Sequence, residues 1–337
     1  MKKLVSVVAL IMSVLMIIGL CGCKGNTDTV SEGKPAEEYK SIDMTVACLK
    51  GPTGVGMAKL MEDSANGKTA NNYTFTVASA ADEISGKFVK GEINIAAVPT
   101  NLAAKLNTKT EGKVTMLAVN TLGVLSILEN GTSINTIADL KGKTIYSTGE
   151  GSNPEYILRY ILKANNLDPD KDVTIQFVAT NDELISALVG GKANVAMVPE
   201  PAATTVLTKK DTLRRAISMN DEWDKSGDSS LMMGCLVALD SFVEANKEQV
   251  DKFLEEYKAS VDYANNSTAD AATLCAKYEI VPATPIAEKA IPHCNITFVS
   301  GSKMKNSIVG YFEILKSFDP TSIGGALPDD SFYYGAK

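Results

Sequence analysis

The segment GEINIAAVPTNLAA (residues 91–104) has a counterpart in GKANVAMVPEPAA (residues 191–203). Gly191 follows Gly91 by 100 residues, and asparagine, valine and proline recur at matching positions behind each glycine. In both copies a short apolar run ends at Val-Pro and a helix-forming run follows, which is typical of a strand leading into a helix. A chain that repeats one strand-to-helix corner is expected to contain two similar structural units.

The sequence around each copy follows the same order of elements. Each half begins with a strand and a glycine-rich loop, passes through a helix, a second strand and a second helix, and reaches its third strand at the repeated segment. Strands are predicted at 44–49, 73–78, 93–98, 144–147, 173–178 and 195–198. Strands that alternate with helices predict parallel sheets with helical crossovers. Beyond residue 230 we expect a strand at 231–239, a long helix at 242–263 and three further helices near 268–278, 284–291 and 301–317.

The N-terminus has the pattern of a bacterial secretion signal. Lys2 and Lys3 precede an apolar run over residues 4–20, which ends in Leu-Cys-Gly-Cys. This ending resembles a lipobox and predicts lipidation of Cys23 after cleavage. The alternative is an uncleaved membrane anchor, since the run is close to spanning length. Both interpretations place the remaining chain outside the cytoplasmic membrane, and the polar residues 24–40 are typical of a flexible tether.

Composition argues against several classes of protein. The 337 residues carry a formal net charge of −7 and show no basic patch, which disfavours nucleic-acid binding. The single histidine, His293, limits histidine-centred catalysis. Cys48, Cys235, Cys275 and Cys294 lack CxxC spacing, so we expect no metal site. The sequence shows no acid/base constellation either, so we expect no catalytic residues, and no cofactor is expected. Export permits disulfides, and pairing of Cys275 with Cys294 stays open.

A resemblance to a known family rests mainly on residues 137–201. IADLKGKTI (137–145) is followed by GEGSNPEYILRYIL (149–162), by NLDPD (166–170) and by the second repeated segment, which closes at Pro201. This succession resembles the solute-binding proteins of ABC importers, in the branch that includes nitrate, sulfonate, taurine, bicarbonate and thiamine-precursor binders. In order and character the likeness extends over about residues 44–300. Asn94 and Asn194 depart from the family, which usually has aspartate at these positions.

The resemblance implies an α/β protein of the type II periplasmic-binding-protein fold, with two lobes joined by two hinge strands around a central cleft. The hinge crossings are expected near residues 120–123 and 220–232. The implied division is a lipoprotein signal peptide at 1–22, a flexible tether at 23–40, the first part of lobe 1 at 41–121, lobe 2 at 122–229 and a helical return segment of lobe 1 at 230–337.

The resemblance also implies a function. The chain would be an extracytoplasmic solute-binding protein of an ABC importer, which captures a small solute in the cleft and delivers it to a permease powered by a cytoplasmic ATPase. It would be a monomer, held by its lipid anchor at the outer face of the bacterial cell membrane, and not an enzyme. Two alternatives stay open: a ligand-sensing lipoprotein, and an enzyme of the thiamine-pyrimidine-synthase or dehydratase type on the same fold. The secretion signal and the lack of an acid/base constellation argue against the enzyme.

Candidate ligand contacts lie where loops lead into helices, because free N–H groups at helix N-termini favour anions and carbonyl-type acceptors. Glycine-rich loops allow the backbone to approach a ligand closely. The Val-Pro corners, the end of the second strand and the hinge add contacts near the carboxyl ends of strands. The predicted ligand-binding residues are Gly51, Pro52, Thr53, Gly54, Ala81, Asp82, Pro99, Thr100, Asn101, Asn120, Thr121, Thr148, Gly149, Glu150, Gly151, Ser152, Asn153, Thr180, Asn181, Pro199 and Glu200.

Several residues in or near this set also fit a purely structural role. Glu200 and Asp82 can cap their own helices, and the glycine-rich loops can simply turn the chain. Trp223 can stack on a ligand at the cleft edge, although packing fits it better, and His293 is expected to be structural. Lys50, beside the first loop, can pair with an anionic solute. No arginine falls in a predicted cleft loop, which weakens the sulfonate and nitrate alternatives because these anions suit the guanidinium fork.

Overall fold

The computed structural model describes residues 39–226 and 229–336. The predicted signal peptide, the lipidation at Cys23 and nearly all of the predicted tether lie outside the described residues. Lys40–Lys337 forms a compact unit, to which the elements below belong. Among the described residues, no helix is both long enough and apolar enough to cross a membrane.

The described chain alternates strands and helices up to residue 226 and is mainly helical beyond β10. The strands are β1 (Asp43–Leu49), β2 (Asn72–Ala78), β3 (Ile95–Pro99), β4 (Val114–Thr121), β5 (Leu125–Asn130), β6 (Thr144–Ser147), β7 (Thr174–Phe177), β8 (Val195–Pro199), β9 (Leu213–Ser218), β10 (Gly234–Leu239) and β11 (Ile296–Val299). The α-helices are α1 (Pro52–Val55), α2 (Ala58–Ala65), α3 (Ala81–Val89), α4 (Thr100–Lys109), α5 (Asn153–Ala164), α6 (Asn181–Val189), α7 (Ala202–Lys209), α8 (Met219–Ser226), α9 (Asp240–Ala245), α10 (Lys247–Asn266), α11 (Thr268–Lys277), α12 (Thr284–Ala290) and α13 (Gly301–Phe318). Short 3₁₀ helices lie at Ile137–Leu140, Ile291–His293, Pro320–Ile323 and Asp330–Phe332.

The strands form two mixed sheets, each of which is the centre of one lobe. The first sheet has the order β2-β1-β3-β10-β4-β11, and the second has the order β7-β6-β8-β5-β9. In each sheet three parallel strands are followed by an antiparallel strand that arrives from the other lobe, β10 in the first and β5 in the second. The repeated segments form β3 and β8, which occupy the same place in both sheets. This arrangement confirms the predicted two-lobed α/β fold.

The first sheet is covered on both faces by apolar side chains. β4 is buried along its whole length, and Ile84 and Phe88 of α3 pack on one face. Phe253 and Tyr257 of α10 pack on the opposite face with no exposed area. A side chain of this size contributes roughly 1.5–3 kcal/mol when it is fully buried, so the apolar contacts on both faces stabilise the lobe.

The long helix predicted at 242–263 is divided in the structure. α9 and α10 meet at Asn246, whose backbone angles of φ −136° and ψ 39° are not helical. Its backbone N–H and its side-chain amide both donate to the Phe242 carbonyl, at 3.1 and 2.9 Å, so the asparagine ends one helix and the next begins. Asparagine competes well for such local bonds, which explains the break in an otherwise continuous apolar pattern.

The cysteine pairing that the sequence left open is not formed. Cys275 and Cys294 are separate thiols, and both are buried in the first lobe. Burial raises the pKa of Cys275 to about 12, so this thiol stays protonated and unreactive at neutral pH.

Two crossings connect the sheets within the described residues. The first runs from β4 to β5 through residues 122–124, and the second runs from β9 through α8 to β10. Gly123 of the first crossing lies against the second, and its N–H donates to Asn220 Oδ1 at 3.2 Å. The two crossings therefore form one packed hinge region.

Gly123→Ala is expected to lower the free energy of unfolding by about 2 kcal/mol, because overpacking in a filled site costs this much. The added Cβ would lie 2.7 Å from Asn220 Oδ1 and 2.8 Å from Leu231 Cδ2. Urea unfolding measures the loss. Gly86→Ala is the control, since nothing lies within 4 Å of its Cβ position. Equal stability of the two variants would contradict close packing of the crossings.

Candidate functional site

A cavity of about 420 Å³ lies between the lobes, at the carboxyl ends of strands in both sheets. β1 and β3 end at this space, and the following helices α1 and α4 begin there. The start of α5 faces it from the second lobe, and the crossings contribute the remaining wall. The lining residues are Leu49, Lys50, Pro52, Thr53, Ala81, Pro99, Asn101, Leu102, Lys105, Thr121, Val124, Ser152, Asn153, Pro154 and Met233.

The structure brings together only part of the predicted ligand contacts. Those in the cavity lining are Pro52, Thr53, Ala81, Pro99, Asn101, Thr121, Ser152 and Asn153. Those outside the lining are Gly51, Gly54, Asp82, Thr100, Asn120, Thr148, Gly149, Glu150, Gly151, Thr180, Asn181, Pro199 and Glu200. A role of any of them in ligand binding stays a prediction, and several of the second group hold lining residues in place.

Asn120 and Thr100 lie directly behind the cavity wall, and both are fully buried. The Asn120 amide donates to the Thr53 carbonyl at 3.3 Å and accepts from the Thr121 hydroxyl at 3.0 Å. Thr100 Oγ1 donates to the Met232 carbonyl at 2.7 Å, next to Met233 in the lining. These two side chains therefore fix the position of the wall.

The second glycine-rich loop is a compact turn that presents the start of α5. Gly149 has φ +83°, and a Cβ there would lie 2.8 Å from Pro154 Cγ, so glycine is required at this position. The Gly151 N–H donates to Glu155 Oε2 at 2.7 Å, which occupies one of the loop's free donors. Asn153 is 5% exposed, and its Oδ1 is enclosed without a hydrogen-bond partner among the described residues.

Glu200 lies outside the lining because it is already engaged within the second lobe. It is 3% exposed and forms an ion pair with Arg215, with Nη2 and Oε1 2.5 Å apart. The Thr204 hydroxyl donates to it at 2.8 Å, and the Thr204 N–H donates at 3.3 Å. The bond from the Thr204 N–H, in the first turn of α7, agrees with the helix-capping alternative. For α3, Glu83 and not Asp82 accepts the Ala80 N–H, at 3.0 Å.

Thr180 and Asn181 are likewise occupied with local bonds. Thr180 Oγ1 accepts the Glu183 N–H at 3.2 Å and so caps α6. Asn181 Oδ1 accepts from Thr148 Oγ1 at 3.1 Å, which links the loop after β6 to the loop after β7. These contacts tie two strand ends of the second lobe together at the edge of the cleft.

Trp223 has surroundings that fit a structural role, whereas His293 is exposed and its role stays a prediction. Trp223 is 1% exposed and packs between Tyr160 and Tyr311, which excludes stacking on a ligand at the cleft edge. Partial burial and the Arg215 charge lower the pKa of His293. The described residues contain no cluster of three or more His, Cys, Asp or Glu side chains arranged to hold a metal ion.

The cavity has a distinctive chemistry, which the sequence analysis predicted only in part. Among the described residues its lining contains no carboxylate, while Lys50 and Lys105 both contribute ammonium groups that form no ion pair. The lining residues outside the predicted set are Leu49, Leu102, Lys105, Val124, Pro154 and Met233, together with Lys50, which the sequence analysis named only as a candidate partner of an anionic solute. For Leu102 and Lys105 a signal existed, since helical spacing places both on one face of α4 with Asn101. Apolar side chains and two cations therefore surround the space.

Solved structures with a similar architecture include an ABC transporter protein and two sulfonate-binding proteins. An ABC transporter protein from Parabacteroides distasonis matches at TM-score 0.73 and 22% identity, over 86% of this chain and 98% of that one. The periplasmic aliphatic sulphonate binding protein SsuA from Escherichia coli matches at 0.70 and 14%, over 88% and 92%. The alkanesulfonate-binding SsuA from Xanthomonas axonopodis pv. citri, bound to MOPS, matches at 0.62 and 14%, over 87% and 96%.

At these identities the likeness establishes the fold. No curated protein sequence matches the chain. A family model described as NMT1/THI5 like matches residues 65–271. That match spans more than half of the sequence and includes strands and helices of both lobes, so the chain belongs to the NMT1/THI5-like family and has the fold of periplasmic solute-binding proteins.

Proposed function

We propose that the chain is an extracytoplasmic solute-binding protein of an ABC importer. The observation that carries the proposal is a cavity that residues of both lobes line beside the ends of strands and the starts of helices. A small solute in this space contacts both lobes at once and so stabilises their closure about the crossings. The protein binds the solute and performs no chemistry on it.

The lining favours a compact solute with an apolar body and a negatively charged group. Leu49, Leu102, Val124 and Met233 supply apolar surface, and no carboxylate opposes an anion within the described lining. Lys50 is exposed, whereas Lys105 is half-buried and therefore better shielded from solvent. Lysine acts as a point charge without the fixed fork of arginine, so the site suits an anion that does not need bidentate recognition.

Delivery requires partners outside the chain. We propose a lipid anchor at Cys23, which holds the protein at the outer face of the bacterial cell membrane as a monomer. The closed, loaded form then docks on a permease whose cytoplasmic ATPase drives import. The basic, apolar and small-residue succession at the N-terminus supports the anchor.

A thermal-melt screen tests the proposed function. The chain, produced from its full sequence and purified in detergent, is melted with nitrate, bicarbonate, alkanesulfonates, taurine, amino acids, pyrimidine precursors and riboflavin. A ligand at about 100 times its dissociation constant stabilises the folded state by roughly 2.7 kcal/mol. In a chain of this size the midpoint rises by several degrees. A flat response to the whole panel contradicts a receptor for these solute classes.

Lys105→Met is expected to raise the dissociation constant of the most tightly bound anionic solute about tenfold. Loss of one hydrogen bond to a charged group in a shielded site costs about this much binding free energy. Isothermal titration calorimetry gives the dissociation constant. Lys87→Met is the matched control, since Lys87 is exposed on α3 and outside the lining. Equal affinities of the two variants would show that Lys105 does not contribute to solute binding.

A further inference from the structure

A cluster of side chains joins the lobes beside the cavity, in addition to the crossings. Tyr156 of α5 donates its hydroxyl to Asp319 Oδ2 at 2.9 Å. The Tyr156 ring also stacks on Phe318, with centroids 6.3 Å apart and planes inclined by 22°. Lys163, two turns further along α5, places its ammonium 4.9 Å from the centre of the same Phe318 ring. One helix of the second lobe therefore contacts a single point, the end of α13, in three ways.

Asp319 is fixed to the first lobe. Its Oδ1 accepts the Thr321 N–H at 2.9 Å and the Thr321 hydroxyl at 2.8 Å, which caps the 3₁₀ helix Pro320–Ile323. Ile323 of that helix is fully buried. At Gly324 a Cβ would lie 2.9 Å from Thr108 Cβ, so the turn is packed tightly on α4 of the first lobe. Movement of the first lobe therefore moves the Asp319 carboxylate with it.

Tyr156 is fixed to the second lobe in the same sense. It is 7% exposed, and its neighbours Ile157, Leu158 and Ile161 on α5 are fully buried. The hydrogen bond between Tyr156 and Asp319 thus exists only when the lobes stand as they do in this structure. If the lobes separate, the bond breaks and the stacked rings part.

Tyr156 and Asp319 both lie next to elements that line the cavity. α5 begins at Asn153 in the lining, and Tyr156 stands one turn further along. α4 carries Lys105 in the lining, and the Lys105 charge acts on Asp319. A solute held between α4 and α5 therefore lies beside this contact.

We propose that Tyr156 and Asp319 form a latch that holds the lobes closed, and that the latch slows release of a bound solute. The effect on solute release rests on the proposed function, whereas the effect on lobe closure does not. Because the bond forms only after closure, it prolongs the closed state without assisting first capture, and affinity changes of this kind appear in the dissociation rate.

The protonation states suit this role at neutral pH. Burial, helped by the Asp319 hydrogen bond, raises the pKa of Tyr156 to about 12, so the hydroxyl keeps its proton. Hydrogen bonds from Thr321 and then from Tyr156 lower the pKa of Asp319, so the carboxylate stays ionised as an acceptor. A charged acceptor strengthens the bond relative to a neutral one.

The interlobe distance tests the latch without any solute. Nitroxides are attached through p-acetylphenylalanine at Lys87 on α3 and Ser186 on α6, which are exposed positions on opposite lobes. Pulsed electron resonance then gives the distance distribution in the detergent-purified full chain. For Tyr156→Phe and for Asp319→Ala we expect the ratio of open to closed molecules to rise about tenfold, as for loss of one charged hydrogen bond.

Matched controls separate the latch from general loss of a hydrogen bond. Tyr334→Phe also removes a tyrosine-to-aspartate bond, to Asp251 at 2.6 Å, but within the first lobe. Asp329→Ala also removes a cap, since Asp329 accepts the N–H and hydroxyl of Ser331. Both controls should give the wild-type distance distribution. A wild-type distribution for Tyr156→Phe, or a wild type that is already fully open, overturns the latch.

A solute from the thermal screen adds a kinetic readout. Stopped-flow measurement with that solute should show dissociation about tenfold faster in Tyr156→Phe, with association within about twofold of wild type. Unchanged dissociation would overturn the role in retention. If no compound in the panel binds, a receptor for these solute classes is contradicted, while the distance measurement still decides the latch.

Discussion

Arg215→Leu is expected to lower the free energy of unfolding by about 3 kcal/mol, although Arg215 does not line the cavity. The change leaves the Glu200 carboxylate, which is 3% exposed, without its cation. It also removes the Arg215 bonds to Ser126 and Thr204, at 3.3 and 3.2 Å. A buried charge without a partner is costly, so the loss exceeds that of an exposed pair. Urea unfolding followed by circular dichroism measures it.

Arg159→Leu is the control for this prediction, because Arg159 is about as exposed as Arg215 but pairs with carboxylates that are less buried than Glu200. It contacts Glu155 and Asp170, and the Asp170 side chain is 69% exposed. Such surface pairs contribute about 0.2–1 kcal/mol each. The double variant Arg215→Leu/Glu200→Gln should recover part of the lost stability, since the unpaired charge is gone. A loss below 1 kcal/mol in Arg215→Leu would show that water reaches Glu200.

Glu200 also illustrates what sequence patterns leave undecided. Its position directly after Pro199 at the end of a strand predicts a ligand contact. In the structure the sheet order places β9 beside β5, and Arg215 of β9 pairs with Glu200. Partners that lie on different strands are determined by sheet order, which a local motif does not encode. For this reason the motif predicted the strand-to-helix corner correctly but did not determine which partner the Glu200 carboxylate contacts.

The fold could be predicted from the sequence because the patterns that indicate it are local. The repeated corner, the alternation of strands and helices, and the apolar stripe of α10 are each contained in short windows. The residues of the cavity lining could be predicted from the sequence only in part. Its Thr53 and Asn153 lie in the first turns of α1 and α5, directly after glycine-containing loops, whereas Met233 comes from the second crossing, far along the chain. Residues of that kind meet only after the lobes have formed and packed.

Trp223→Ala is expected to cost about 4 kcal/mol of unfolding free energy, the largest single effect that we predict. Trp223 of α8 is the chain's one tryptophan and is 1% exposed. Its ring centroid lies 4.6 Å from that of Tyr160 on α5 and 5.5 Å from that of Tyr311 on α13. Its indole N–H donates to the Ser229 carbonyl at 2.8 Å. Truncation leaves a cavity among three elements and removes this bond. Urea unfolding followed by far-ultraviolet circular dichroism measures the change.

Trp223→Phe separates the two contributions. It retains most of the ring packing with Tyr160 and Tyr311 but lacks the donor for Ser229. We expect a loss of about 1–2 kcal/mol, because the carbonyl then lacks its partner in a packed site. Equal losses for the alanine and phenylalanine variants would assign the whole effect to the hydrogen bond. A negligible loss for both would mean that α5, α8 and α13 hold the second crossing without the indole.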